Sequence, residues 1–99
     1  MSYVRISLTE PKPESIDDAR SLHQELLTFD KTLPGYIGGY LAEDMENARR
    51  MGRITFWEKK SDADHAAQLQ HMLTLRARLL RLIVDDAAGV NAGLEATEA

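Results

Sequence analysis

The feature that most constrains this chain is the change in spacing of its apolar residues along 99 positions. From Tyr3 to Leu8 apolar and polar residues alternate, which is the two-residue period of a strand with one buried face. After the turn at Lys12-Pro13 the spacing becomes three and four, as on the buried side of a helix that starts near Ser15. The helical positions are Ile16, Ala19, Leu22, Leu26, Phe29 and Leu33.

Two further strands are predicted after Pro34-Gly35 ends the first helix. The segment YIGGYLAED, which starts at Tyr36, is rich in aromatic and β-branched residues, and its paired glycines Gly38-Gly39 predict a bulge or a bend. The polar stretch 44–51 predicts a hairpin loop, and 52–57 predicts the third strand.

The last third of the sequence predicts a second helix and a fourth strand. Ser61 is a candidate cap for a helix from near Asp62 to about Asp85, and the pattern leaves open a break near His71. Residues 90–96 predict a short strand, and a frayed tail is expected to follow it. The buried positions of this helix are Leu69, Met72, Leu75, Leu79 and Leu82.

The order β-α-β-β-α-β predicts an α+β, ferredoxin-like subunit in a single domain over residues 1–99. Its four-stranded antiparallel sheet would carry both helices on one face. The other face would expose either the set Val4/Ile6/Leu8 and Ile54/Phe56 or the set Tyr3, Trp57 and Tyr36/Tyr40. Because either set is a wide apolar surface on a short chain without cysteine, we expect a homodimer that packs through its sheet faces.

Composition excludes several kinds of partner. The net charge of −4 gives no basic surface for nucleic acid or for anionic membranes, and no apolar run approaches the roughly 18 residues of a spanning helix. The start of the chain lacks the pattern of a signal peptide, so a cytoplasmic location is expected. The absence of cysteine removes thiolate nucleophiles and zinc ribbons from consideration.

Three short motifs resemble a known superfamily: YVRISL followed by Lys12-Pro13, LPGYIGGY at 33–40, and RITFWE at 53–58 running into SDAD. Together they resemble the dimeric α/β-barrel superfamily, and within it the antibiotic biosynthesis monooxygenase-like domains, over residues 3 to about 85. The resemblance implies two subunits packed sheet to sheet, each with a pocket between its sheet and its helices. Members include cofactor-independent oxygenases of polycyclic aromatic phenols, haem-degrading oxygenases and small aromatic isomerases.

The resemblance favours the cofactor-independent oxygenases over the haem-degrading branch. The haem-degrading branch depends on an asparagine in the first strand and a tryptophan in the second helix, and this chain has neither. Only His71 could serve as the haem ligand. Because the asparagine and the helix tryptophan are missing, specific haem binding is not expected. The cofactor-independent branch uses a strand tryptophan and a polar or arginine side chain of the second helix, positions that Trp57 and Arg76 or Arg78 match.

Five residues are therefore candidates for a site, each with a structural alternative. His71 is a candidate proton acceptor, and Arg76 or Arg5 could stabilise a developing oxyanion. Trp57 and His23 are candidate substrate contacts with Arg5, although a core aromatic and a buried core histidine explain them as well. Arg5, if it faces the interior, needs a carboxylate or a bound anion.

No metal site is predicted. His65 lies near Asp62 and Asp64, but carboxylates at a helix start are explained by the helix dipole, and no pair of histidines has ligand spacing.

The predicted function is a cofactor-independent monooxygenase that acts on a small apolar aromatic substrate. The alternative is a non-catalytic ligand-binding or structural dimer, which a sealed pocket without converging polar groups would favour.

Overall fold

The structure, a computed structural model, describes residues 1–46, 49–84 and 89–98. Four strands form one antiparallel sheet in the order β2-β3-β1-β4, and the helices pack on one of its faces. The predicted α+β, ferredoxin-like fold is confirmed. The elements are β1 (Ser2–Thr9), α1 (Ile16–Asp30), β2 (Tyr36–Glu43), β3 (Met51–Trp57), α2 (Lys60–Gln68), α3 (Gln70–Leu80) and β4 (Val90–Ala96).

The first helix has the predicted start and an earlier end. A single 3-10 turn at Pro13–Ser15 leads into α1, and Ser15 occupies the N-cap without a side-chain cap hydrogen bond. The helix ends at Asp30 rather than at Leu33, because the chain then turns through Gly35, whose φ of 82° suits glycine.

The second helical region is divided into α2 and α3. Leu69 has extended backbone angles (ψ 142°), so the break lies two residues before the predicted position near His71. Lys59, not Ser61, precedes the first turn of α2, so the cap prediction is wrong. Helix α3 ends at Leu80, and the predicted end near Asp85 lies outside the described residues.

Strand register decides which face carries Trp57. Tyr3 pairs with Trp57, Arg5 with Thr55 and Ser7 with Arg53, and these side chains lie on the face that the helices cover. Trp57 packs there against Ala63 and Ala66 of α2. The open face therefore carries the first of the two predicted sets, Val4, Ile6, Leu8, Ile54 and Phe56.

A β-bulge in β2 puts Tyr36 and Tyr40 on opposite faces of the sheet, whereas regular alternation would put them on the same face. Tyr36 pairs with Trp57 and Gly38 pairs with Phe56, so Ile37 is an extra residue in the edge strand. The bulge lies directly before the paired glycines Gly38-Gly39, where the sequence predicted a bulge or a bend. The grouping of Tyr36 with Tyr40 on one face is wrong, because Tyr36 contacts Trp57 edge-on and Tyr40 contacts Phe56 on the opposite face.

Candidate functional site

A cavity of about 300 Å³ lies between the helix-covered face of the sheet and helices α2 and α3. Alternation along β1 and β3 turns every second side chain of these strands towards it. Met72 and Arg76, one turn apart on α3, complete the wall that faces the sheet. One part of the lining is apolar or aromatic, with Tyr3, Trp57, Ala63, Ala66, Ala67 and Met72. The polar part comprises Arg5, Ser7, Asp30, Arg53, Thr55, Arg76 and Asn91.

Arg5 is held by two neighbouring side chains. Its Nη2 donates to Asp64 Oδ1 at 2.8 Å and to the Tyr3 hydroxyl at 3.0 Å, and its guanidinium lies 5.3 Å from the centre of the Tyr3 ring. Burial opposes the charge, but these hydrogen bonds outweigh it and raise the pKa of Arg5. Hydrogen bonds from Lys60 and Arg5 lower the pKa of Asp64. The carboxylate partner predicted for an interior Arg5 is therefore Asp64.

Trp57 contributes a ring surface rather than a free donor. Its side chain is 2% exposed, and its Nε1 donates to Thr55 Oγ1 at 3.0 Å. Tyr36 packs edge-on against the indole at a centroid distance of 5.5 Å. Because Thr55 already accepts the indole hydrogen, a ligand in the cavity would contact Trp57 through its face or edge.

Arg53 and Arg76 line the same cavity without forming an ion pair with any described residue. Arg53 Nε is buried and has no hydrogen-bond partner in the described part of the chain. Burial lowers the pKa of Arg53; Asp30 acts in the opposite direction and Arg76 lowers it further. The two guanidinium groups thus place positive charge at the polar part of the cavity.

Asp30, the last residue of α1, is the acidic side chain of the cavity lining. It is 2% exposed, and its Oδ1 has no hydrogen-bond partner among the described residues. Burial raises the pKa of Asp30 to about 6, although the nearby Arg53 acts in the opposite direction. A carboxyl group with a pKa near 6 can accept a proton from a ligand at neutral pH.

Two of the predicted site residues lie elsewhere. His71 is on the surface between α1 and α3, where its ring packs edge-on against Phe29 at 4.6 Å, and it does not line the cavity. His23 is completely buried on α1, outside the cavity lining, and its burial lowers its pKa to about 4, with Arg53 acting in the same direction. The structure therefore brings together Arg5, Trp57 and Arg76, and it separates His71 and His23 from them.

Asp30 and Arg53 were missed by the sequence analysis, although the pattern contained a signal for each. Asp30 lies four residues after Leu26 and between Phe29 and Leu33, so it falls within the predicted buried stripe of α1. Arg53 alternates with Thr55 and Trp57 on one face of β3, so it shares the side of Trp57. A charged residue in register with buried neighbours is the signal in both cases.

The described residues also bear on metals and membranes. No three histidine, aspartate or glutamate side chains among them converge as they would around a metal ion. Asp64, near His65 in the sequence, is bound to Arg5 and Lys60. Within the same residues, no helix has the length and apolar character needed to span a membrane.

Comparisons with known proteins identify the fold. The sequence matches no protein-family model and no curated protein. Solved structures do match. A conserved protein from Methanosarcina mazei Go1 is 14% identical, with a TM-score of 0.86 over 98% of this chain and 94% of that chain.

Two further solved structures carry functional names. An antibiotic biosynthesis monooxygenase is 21% identical, with a TM-score of 0.82 over 99% of this chain and 100% of that chain. SnoaB, a cofactor-independent oxygenase from Streptomyces nogalater, is 15% identical, with a TM-score of 0.76 over 99% of this chain and 93% of that chain. At these identities the likeness establishes the fold. The chain has the fold of the antibiotic biosynthesis monooxygenase-like domains, as the sequence resemblance predicted.

Proposed function

We propose that the chain is a cofactor-independent monooxygenase that binds a small aromatic hydroxy compound in the cavity between its sheet and helices. The observation that supports this most is the convergence of an aromatic wall, a buried carboxyl group and two guanidinium groups without an ion pair to a described residue on one space of about 300 Å³. That volume lies at the lower end of the range for small-molecule sites. SnoaB, which shares the fold, is named as an oxygenase of this type.

Each lining group has a role in this proposal. Asp30 accepts the proton of the substrate hydroxyl, because it is the acidic group of the cavity and its pKa is close to neutral. Arg76 stabilises the resulting oxyanion, and Trp57 and Tyr3 contact the aromatic ring. Arg5, fixed by Asp64, holds Tyr3 in place. The role of proton acceptor that the sequence suggested for His71 passes to Asp30.

The ionised substrate then supplies the electrons that reduce dioxygen. One oxygen atom joins a ring carbon, and the other leaves as water together with the hydrogen of that carbon and the proton of the hydroxyl group. For 1-naphthol the balanced products are 1,4-naphthoquinone and water, formed from one molecule of dioxygen. The residues of the chain bind the ring, remove the proton and stabilise the oxyanion.

Oxygen uptake tests the proposal directly. We expect the purified protein, in buffer that contains a metal chelator and no added flavin, to consume one dioxygen for each 1-naphthol or hydroxynaphthoquinone-type phenol converted. The expected product is the quinone, identified by mass spectrometry with one labelled oxygen atom from ¹⁸O₂. Binding of the phenol without oxygen uptake would contradict the oxygenase and favour the non-catalytic ligand-binding dimer.

The non-catalytic alternative has one observation in its favour. Trp57 is 2% exposed and its indole hydrogen is taken by Thr55, as expected for a core aromatic. Arg53 Nε and Asp30 Oδ1, which have no hydrogen-bond partner among the described residues, favour the oxygenase, because a purely structural interior usually pairs such groups. The oxygen measurement separates the two functions.

Self-association through the open sheet face is part of the same proposal. This face carries Val4, Ile6, Leu8, Ile54 and Phe56, and beside them Tyr40 is 64% exposed and Leu94 is 52% exposed. Because so wide an apolar surface is costly in water, we propose that two copies pack these faces together.

Light scattering tests the dimer. We expect a dimer at micromolar concentration, and Ile54→Glu should weaken it at least tenfold, because a charge would be buried at the centre of the interface. Leu73→Glu is the matched control, since Leu73 lies on α3 away from the sheet and is 45% exposed. A folded wild-type monomer at that concentration would contradict the proposal.

A further inference from the structure

The two cavity arginines differ from Arg5 in forming no ion pair with a described residue. Arg5 is held by Asp64, whereas neither Arg53 nor Arg76 lies within 4.0 Å of a carboxylate of the described residues. Arg53 Nε is buried without a hydrogen-bond partner among them. A buried guanidinium without a partner is costly, and a second positive charge beside it adds repulsion. A bound anion would remove both costs.

Two uncharged hydrogen-bond donors, Ser7 and Asn91, lie in the same part of the cavity lining as these guanidinium groups. Ser7 pairs with Arg53 on one side and with Asn91 on the other, so the three residues form a row across β3, β1 and β4. All three line the cavity, and Arg76 approaches it from α3. Hydroxyl and amide groups at this position can donate further hydrogen bonds to an anion.

We infer that Arg53 and Arg76, with Ser7 and Asn91, form an anion subsite that takes the carboxylate of an aromatic acid. The charge balance favours a single carboxylate, because two guanidinium groups and the carboxylate of Asp30 leave one positive charge. The planar guanidinium group also suits bidentate contact with a planar carboxylate.

The spacing within the cavity fits a bicyclic acid. Arg53 and Trp57 lie four residues apart on the same face of β3, which corresponds to about 13 Å along the strand. The ring system would lie between them, against Met72 and the alanines of α2. The inference rests on the proposed function for the position of the ring, and it narrows the substrate class to hydroxylated aromatic acids.

A pair of matched probes tests the subsite by calorimetry at pH 7. We expect 1-hydroxy-2-naphthoate, which carries the carboxylate, to bind at least tenfold more tightly than 1-naphthol, which lacks it. Arg76→Gln should weaken binding of the acid at least tenfold more than it weakens binding of 1-naphthol, because the charge-assisted hydrogen bonds to the carboxylate are lost in addition to any contact with the hydroxyl oxygen. Arg53→Gln should do the same.

A control variant tests whether the loss of affinity is specific to the cavity arginines. Arg78→Gln alters a charge on the same helix at a residue outside the cavity lining and should leave both affinities unchanged. Arg76 is exposed, so Arg76→Gln remains informative even if replacement of the more buried Arg53 impairs folding. Equal affinity for the two probes, binding of neither, or a preference for the acid that survives Arg76→Gln would overturn the subsite.

Oxygen uptake by the same samples separates the two proposals. Tight, arginine-dependent binding of the acid without oxygen uptake would overturn the oxygenase and support the subsite. Uptake with 1-naphthol and no preference for the acid would overturn the subsite and support the oxygenase.

Discussion

Replacing Asp30 with asparagine is expected to lower the rate of oxygen uptake by about 10²–10⁴-fold, because the substrate hydroxyl loses its proton acceptor. Asparagine keeps the size of the side chain and its place at the end of α1, so the cavity should retain its shape. In the wild type the rate should rise as pH rises through about 6, where Asp30 loses its proton. In Asp30→Asn this rise should disappear.

The same substitution should stabilise the protein at neutral pH. Asp30 binds its proton more tightly when folded, with a pKa of about 6 against 3.8. The stability that the protein has with Asp30 protonated is therefore fully present below about pH 4, and it is lost as pH rises through 6 and the carboxyl group ionises. A shift of about two pKa units corresponds to about 3 kcal/mol, so Asp30→Asn should raise the free energy of unfolding at pH 7.5 by about 1–3 kcal/mol.

Opposite changes in activity and stability distinguish a catalytic Asp30 from a structural one. The groups that face Asp30 are Arg53 of β3 and Tyr36 of β2, with Arg76 of α3 across the cavity, and none of them supplies a hydrogen bond to its Oδ1. Urea unfolding and oxygen uptake on the same variant decide the matter. Asp17→Asn, at a 97% exposed position of α1, is the control and should change neither property strongly. Loss of stability together with activity would contradict the proposed role.

Replacing Trp57 with alanine is expected to lower the free energy of unfolding by about 3–5 kcal/mol. The indole is almost fully buried against Ala63 and Ala66, and its loss would also leave the buried hydroxyl of Thr55 without its donor. Trp57→Phe should cost far less, because an aromatic ring remains between Tyr36 and α2. Denaturant unfolding of the two variants measures the difference.

A control residue and a ligand measurement complete this test. Leu73→Ala, at a partly exposed position of α3, should change stability by about 0.5 kcal/mol or less. Trp57→Phe should bind 1-naphthol with nearly the affinity of the wild type, since the indole hydrogen is already used within the protein. A large loss of 1-naphthol binding in a stable Trp57→Phe variant would instead show that a ligand uses the indole hydrogen.

Periodicity was sufficient to predict the fold because the buried faces of these elements are mostly apolar. The alternation from Tyr3 to Leu8 predicted β1, and the spacing of three and four predicted α1. It could not predict the division at Leu69, because a residue with extended angles between two helices keeps an apolar side chain in the stripe. The pattern also could not predict which face of the sheet carries Trp57, because both faces of β1 and β3 carry large side chains.

The site was harder to predict because its chemistry depends on contacts between distant segments. His71 borders the apolar stripe of α3 in the sequence, yet its ring lies beside Phe29 on the side of α3 away from the cavity. Asp30 falls in the apolar stripe of α1, but it also lies next to Lys31 at the helix end, where charged residues are common, and its burial becomes clear only in the fold. Burial and partner distances, which set the pKa of such groups, are properties of the fold.

The extra residue at Ile37 gives β2 one residue more between Tyr36 and Tyr40 than its pairing with β3 uses. Ile37 is 56% exposed, so many side chains can occupy its place at small cost. Its deletion would leave a regular strand in which Tyr36 still pairs with Trp57 and Tyr40 still pairs with Ile54, and both tyrosines would keep their present faces. The aromatic contacts with Trp57 and Phe56 would then be retained. A one-residue deletion at this position should therefore be tolerated, whereas a second deletion between the tyrosines would turn one of them to the opposite face.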